Sequence, residues 1–189
     1  MALAEATVEL EPRAEDVLAF WREAGPDKWF TKNEEFDREL ALRFMGLHDQ
    51  ACRGALDSWA DSADGSLALV ILLDQVPRNI FRGTARAFAT DAKALSIAKE
   101  AVLAGFDQSF PPQERQFFYL PFEHSENLAD QDTCVALCEA MGDAETLRWA
   151  HIHRDAIARF GRFPHRNPML GRETTPEEAE YLVNGGFKG

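Results

Sequence analysis

The strongest constraint on the fold is a helical spacing of apolar residues that repeats along nearly the whole chain. In one segment the apolar stripe consists of Phe36, Leu40, Phe44, Leu47 and Cys52. Glycines such as Gly54 and Gly105 follow these segments, where helices commonly end, and the segment before Gly105 predicts a helix over about 85–104. Because a helix brings every third or fourth residue to one face, the pattern predicts an all-α protein of about eight helices.

Capping residues mark several of the predicted helix ends. Asn33 and Ser66 precede apolar segments and are expected to cap helices, while Gly142 and Gly161 are expected to end two others. The sequence 175–178, Thr-Pro-Glu-Glu, combines a capping threonine, a proline suited to the first turn and two acids at the positive helix end. These signals predict short helices with short connections.

The segment Leu67–Leu73 is the longest unbroken apolar run and is apolar on nearly every side. A helix of that kind is typical of the centre of a protein, and a buried strand is the alternative. We favour the helix because no nearby segment has the pattern of a partner strand, and we expect Pro77 to end it. Seven residues are too few to cross a bilayer, which takes about 20 in a helix.

The chain of 189 residues suits a single domain, 1–189, because no linker or low-complexity stretch divides it. Short connections favour an array of antiparallel helical hairpins, and a closed bundle is the alternative. Residues 1–11 and 184–189 are expected to be frayed ends.

The net charge of −12 comes from 20 basic and 32 acidic residues. Such a surface repels nucleic acid and anionic membranes, so neither is an expected partner. No secretory signal is visible, which favours a cytoplasmic location. In that setting disulfides are not expected, and Cys134 and Cys138 are interpreted as small hydrophobic residues of the core.

Positive charge is concentrated in residues 148–172, which contain six arginines and one acid, Asp155. This segment and two others, 72–84 and 119–126, place polar groups beside strongly apolar ones. Arginine suits bidentate contacts with carboxylate or phosphate. The candidate ligand-binding residues in the three segments are Asp74, Arg78, Asn79, Arg82, Glu123, His124, His153, Arg154, Arg162, His165, Arg166 and Asn167.

Three functions fit these residues. The leading hypothesis is a binding protein whose arginine- and histidine-lined cleft holds a small anionic ligand or a peptide carboxylate. The first alternative is a hydrolase or lyase in which Glu123 or Asp74 orients His124 or His153 as a general base. The second alternative is a structural or scaffold protein in which the arginines and carboxylates pair only with each other.

No metal site or cofactor is predicted. Glu123, His124 and His153 or His165 could be drawn as ligands, but they lack the spacing that places two histidines on one helix face. His151 and His153 are two positions apart, so on a helix they would point in nearly opposite directions.

Four strings of the sequence resemble one bacterial family, the domain of unknown function 924. They are LLDQVPRNIFRGT, AFATDAKAL, YLPFEHSE and FGRFPHRNPMLGRETTPEE, and the likeness extends from VLAFW at 17–21 to the last predicted helix. The resemblance implies an all-helical fold grouped with tetratricopeptide-like superhelices. It implies no activity, substrate or catalytic residue.

Overall fold

The computed structural model describes residues 13–189, which form an all-α protein, as predicted, without a β-strand in that range. Eight helices have eight or more residues. They are α1 (Ala14–Ala24), α2 (Glu34–Cys52), α3 (Ala63–Val70, continued by Ile71–Gln75 and Val76–Ile80), α4 (Asp91–Leu103), α5 (Pro112–Glu123), α6 (Leu128–Met141), α7 (Ala144–Phe160) and α8 (Pro176–Val183). The expected frayed end at 1–11 lies outside the described residues.

Helix α3 lies at the centre of the molecule. Residues 65–77 are buried without interruption, and α1, α2, α4 and α5 pack around them. The interpretation of Leu67–Leu73 as a central helix is therefore confirmed. None of the described helices is long and apolar enough to cross a membrane.

Helices α4 to α7 pack in chain order, each against the next. Short connections allow this arrangement, because a helix joined to its successor by a few residues packs back against it. The tetratricopeptide-like superhelix remains a prediction.

Most of the predicted helix ends are confirmed. The side chain of Asn33 accepts hydrogen bonds from two backbone amides of α2. Gly142 and Gly161 end α6 and α7 in the left-handed conformation, with φ of 79° and 68°. Thr175 and Glu178 form a reciprocal capping box at the start of α8.

Two predicted helix starts are wrong. Helix α3 begins at Ala63 with Ser62 as its cap, whereas Ser66 lies inside the helix. The helix predicted from about residue 85 begins at Asp91, since Ala85–Phe88 forms a separate 3₁₀ turn.

Pro77 does not end α3, contrary to expectation, because other side chains replace its missing amide. A proline inside a helix leaves a carbonyl of the preceding turn without a donor. Here Nδ1 of His48 donates to the oxygen of Leu72 at 2.9 Å, and Oγ1 of Thr90 donates to the oxygen of Leu73 at 2.5 Å. The helix therefore continues for one more turn.

The apolar core has a large and a small part. The large part surrounds α3 and includes Cys134 and Cys138, which are buried as predicted. The small part lies at the end of α7 and consists of Ala156, Ile157 and Phe163, packed with Tyr181 and Phe187. This small cluster adjoins the polar residues described next.

Candidate functional site

The three polar segments predicted from the sequence meet at one place. Nδ1 of His124, just after α5, lies 2.8 Å from Oδ1 of Asp74 on α3. Nη1 of Arg166, in the loop after α7, donates to the backbone oxygen of His124 at 3.1 Å. One residue from each segment thus contacts a residue of another.

Asp74 is fully buried in a π-helical stretch of α3, Ile71–Gln75. Stretches of this kind are rare and are frequent at functional sites. Gln75 donates to Oδ2 of Asp74 at 2.7 Å, and Nη1 of Arg78 lies 3.2 Å from Oδ1. Burial by itself raises the pKa of Asp74, but Arg78 and His124 outweigh it and hold that pKa well below its usual range. Asp74 is therefore a buried carboxylate anion.

The tautomer of His124 follows from its partner. An ionised carboxylate can only accept hydrogen bonds, so Nδ1 of His124 carries the proton and Nε2 is left as an acceptor. Burial and the charge of Arg78 lower the pKa of His124, against the opposing effect of Asp74. The imidazole is neutral at pH 7, with a basic nitrogen free of the Asp74 contact.

A second carboxyl–histidine pair lies beside the first. Nδ1 of His153 lies 2.9 Å from the oxygen of Trp149 and 3.3 Å from Oε1 of Glu123. Burial raises the pKa of Glu123 to about 8 and lowers the pKa of His153 to about 3. The ring centroids of His124 and His153 are 6.2 Å apart. At pH 7 the site thus holds a protonated acid and two neutral imidazoles.

Arg166 is the least satisfied charged group of the site. Its guanidinium lies over the rings of Phe88 and Phe163, with Cζ 4.7 and 4.4 Å from the ring centroids. Asp91 is 3.6 Å away, and only 5% of Arg166 is exposed. Its Nε has no hydrogen-bond acceptor among residues 13–189. Burial lowers the pKa of Arg166 to about 10, so it is still a cation at pH 7.

His165, next to Arg166, has a similar defect. Its Nδ1 is buried and has no hydrogen-bond partner within the described part of the chain. Burial and the neighbouring Arg166 lower the pKa of His165 to about 4, so this ring is neutral as well.

Arg78 is paired with two carboxylates. It forms two hydrogen bonds to Asp91, at 2.8 and 2.9 Å, besides its contacts with Asp74. Asp91 and Asp74 balance the charges of Arg78 and Arg166, so the centre of the site carries no large positive charge at pH 7.

The other predicted arginines lie apart from this centre, each with a carboxylate partner. Arg82 is bidentate to Asp37, which also accepts from Asn79. Arg154 contacts Asp132 at 2.7 Å. Arg82 is thus held by two hydrogen bonds, whereas Arg154 makes one with the described residues, from Nε, and lies at the surface.

Arg162 and Asn167 take part in a network that orders the loop before α8. Arg162 forms two hydrogen bonds to Glu178, at 2.6 and 2.8 Å, and the side-chain amide of Asn167 donates to the same carboxylate. Arg172 donates to Glu126 and to Asn167. This arrangement fits a structural role for Arg162 and Asn167.

The sequence indicated Asp74 as the partner of Arg78, but four other acidic partners of the arginines were missed. They are Asp37, Asp91, Asp132 and Glu178, and with Phe187 they are the main additions from the structure. Asp91 lies in AFATDAKAL, one of the strings that carry the family resemblance, and that string could have pointed to it.

Metal ligands do not cluster in the described range: no three histidine, cysteine, aspartate or glutamate side chains of residues 13–189 come together as a metal site would require. Two surface depressions, of ≈ 430 and ≈ 100 Å³, are lined by residues outside the predicted set. At the candidate site itself, the ring of Phe187 packs on the ring of His153.

Comparison with known proteins gives one family and one related structure. A family described as "Bacterial protein of unknown function (DUF924)" matches residues 17–186. A solved structure of the protein of unknown function ATU0120 from Agrobacterium tumefaciens is 50% identical, with a TM-score of 0.89. The match covers 91% of this chain and 97% of that one. No curated protein matches the chain.

Proposed function

The chain belongs to the bacterial family of unknown function called DUF924, and from its site we propose that the protein binds a small carboxylate at Arg166, beside the Asp74–His124 pair. This narrows the arginine- and histidine-lined cleft expected from the sequence to the arginine whose buried Nε has no acceptor among residues 13–189.

The observation that carries the proposal is the missing acceptor at Nε of Arg166. A buried donor without a partner costs about 1–3 kcal/mol, and more when the group is charged. Nδ1 of His165, the residue before Arg166, also has no hydrogen-bond partner among the described residues. An oxygen-bearing ligand that accepts from Nε of Arg166 would remove the first of these defects.

The charges around Arg166 favour a carboxylate over a phosphate. Asp91 already lies 3.6 Å from Arg166, and Arg78 is bound to both Asp91 and Asp74. A dianion would bring two negative charges to a site whose cations, Arg78 and Arg166, already face Asp74 and Asp91, whereas a carboxylate brings one.

The test is calorimetric titration with acetate, inorganic phosphate and longer carboxylates, repeated on two variants. Arg166→Lys keeps the charge but loses Nε, so carboxylate affinity should fall about tenfold or more. Arg154→Gln is the control, because its guanidinium contacts Asp132 away from the site. Equal affinity of wild type and Arg166→Lys, or no carboxylate bound by the wild type, would contradict the proposal.

The second candidate function is acid–base catalysis, as in a hydrolase or lyase. Glu123 with its raised pKa can donate a proton, and Nε2 of His124 can accept one. The two groups are adjacent in the chain, and the rings of His124 and His153 are close.

This candidate is tested by turnover rather than binding. Any carboxylate bound by the wild type is incubated with the protein and followed by NMR for conversion. His124→Gln should keep binding and abolish conversion, while unchanged conversion in His124→Gln would exclude His124 as the base.

The remaining expectations are part of the proposal as well. They are a tetratricopeptide-like arrangement of the hairpins, a cytoplasmic location, and a surface that repels nucleic acid and anionic membranes. The net charge of −12 supports the last of these. The scaffold alternative is supported by the paired arginines, above all Arg162 with Glu178.

A further inference from the structure

The segment after α8 folds back over the site. The ring of Phe187 lies on His153, with 4.1 Å between the centroids, and also contacts His165 at 5.1 Å and Phe163 at 6.0 Å. Trp149 borders the same space at 6.5 Å. Phe187 thus occupies a slot lined by aromatic rings.

This segment has few attachments. The amide of Gly186 donates to the oxygen of Tyr181 at 2.8 Å, and the amide of Phe187 donates to the hydroxyl of Tyr181 at 2.9 Å. Lys188 forms no ion pair with any described residue. Gly185 has a φ of +88°, a conformation that glycine adopts readily. The segment can therefore swing away at the cost of the Phe187 ring contacts, the packing of Gly189 against His165 and two hydrogen bonds.

The aromatic slot adjoins the anion-binding group. Phe163 is a wall of both sites. Its ring contacts Phe187, and it also packs against the guanidinium of Arg166, whose Cζ lies 4.4 Å from the ring centroid. His165 likewise contacts Phe187 and is the neighbour of Arg166. A cation and an apolar slot with a common wall form the two halves of a site for an amphipathic anion.

We propose that Phe187 is an intramolecular occupant of this slot and that the ligand is an aromatic carboxylate whose ring displaces it. The inference rests on carboxylate binding at Arg166. It adds the chemical class of the ligand and the movement that admits it: the carboxylate binds Arg166, and the aromatic group replaces Phe187 against His153 and Phe163.

The first experiment measures whether Phe187 covers the site, without any ligand. Diethyl pyrocarbonate acylates accessible neutral imidazoles, and mass spectrometry gives the rate at each histidine. In Phe187→Ala, labelling of His153 and His165 should rise about tenfold, as expected if the ring covers them for roughly nine-tenths of the time. His151, which is exposed, is the internal reference.

Two further variants control this experiment. Gly186→Ala should also raise labelling, although it keeps the Phe187 ring, because an added Cβ would lie 2.5 Å from the backbone oxygen of Tyr181. Lys188→Ala, an exposed change in the same segment, should leave the rates unchanged. Labelling of His153 that is equal in wild type and Phe187→Ala would overturn the proposal.

The second experiment tests the ligand class by titration with acetate and phenylacetate. Phe187→Ala empties the slot, so its affinity for phenylacetate should rise about tenfold while that for acetate stays nearly constant. Binding of acetate with no gain for phenylacetate overturns this inference and leaves carboxylate binding standing. Binding of neither ligand by either protein overturns carboxylate binding itself, and this inference with it.

Discussion

Oδ1 of Asp74 lies 2.8 Å from Nδ1 of His124, fifty positions away in the sequence. The contact joins the π-helical stretch of the central helix to the end of α5. Together with Arg78 it keeps the carboxylate ionised, and it fixes the tautomer of the imidazole. This pair is the centre of the candidate site, and several properties of the protein follow from its surroundings.

Asp74→Asn should destabilise the protein strongly. The substitution removes a fully buried negative charge that Arg78 and His124 contact, and breaking a buried ion pair costs about 3–5 kcal/mol. Urea unfolding measures the change in free energy. Asp132→Asn, at the solvent-exposed pair with Arg154, is the matched control and should cost at most about 1 kcal/mol. Equal losses of unfolding free energy in the two variants would show that the buried Asp74 contacts stabilise the protein no more than the exposed Asp132 pair does.

Glu123 should make the protein less stable as the pH rises. The folded chain keeps the Glu123 proton up to about pH 8, whereas an unperturbed glutamate loses it near 4.5. Between these values the folded state binds more protons, so the free energy of unfolding falls with increasing pH, by roughly 3–5 kcal/mol at most.

Glu123→Gln should remove this loss of stability with rising pH. Measuring the free energy of unfolding from about pH 6 to about pH 9 would detect the change. His153 and His165 act in the opposite sense, because their lowered pKa values make the folded chain bind fewer protons below pH 6.5. Stability should therefore still fall on acidification in the variant. An unchanged alkaline slope in Glu123→Gln would contradict the assignment.

Asn167→Ala should reduce stability without changing carboxylate binding. The Asn167 side chain is fully buried, donates to Glu178 at 3.1 Å and accepts from Arg172 at 3.0 Å. Removing it leaves buried polar partners unsatisfied, at a cost of about 1–3 kcal/mol. Thermal unfolding and titration with acetate separate the two effects. A loss of affinity with unchanged stability would instead place Asn167 among the ligand-binding residues.

Thr90→Val should be more harmful in the wild type than in a Pro77→Ala background. In the wild type the Thr90 hydroxyl is the donor to the carbonyl of Leu73, so its loss leaves a buried acceptor unsatisfied, at about 1–3 kcal/mol. Alanine at position 77 restores an amide that can donate to the same turn. A double-mutant cycle measures this coupling, and strict additivity would contradict it.

Local patterns predicted the helices well. The stripe of Phe36, Leu40 and Phe44 is buried, as its spacing indicates, because a helix turns every fourth residue towards the same side. The prediction that Pro77 ends α3 is wrong for a reason outside its own segment, since His48 and Thr90 come from other parts of the chain.

The candidate site was predictable only in part. The sequence pointed to Asp74, His124 and Arg166 through charge beside apolar residues, and the structure brings these three together. It also pointed to Arg82 and Arg162, whose partners Asp37 and Glu178 are distant in the sequence. A run of arginines indicates positive charge, but packing decides which carboxylates meet it.

The amino-acid sequence by itself determined the all-α class, the central position of the Leu67–Leu73 helix and the capping at Asn33 and Thr175, because these depend on the spacing and chemistry of neighbouring residues. Only the tertiary structure decided which arginine has a buried Nε without an acceptor among residues 13–189, and which ring covers His153. The physical reason is that burial and electrostatic pairing depend on distances in space, and residues far apart in the chain set those distances.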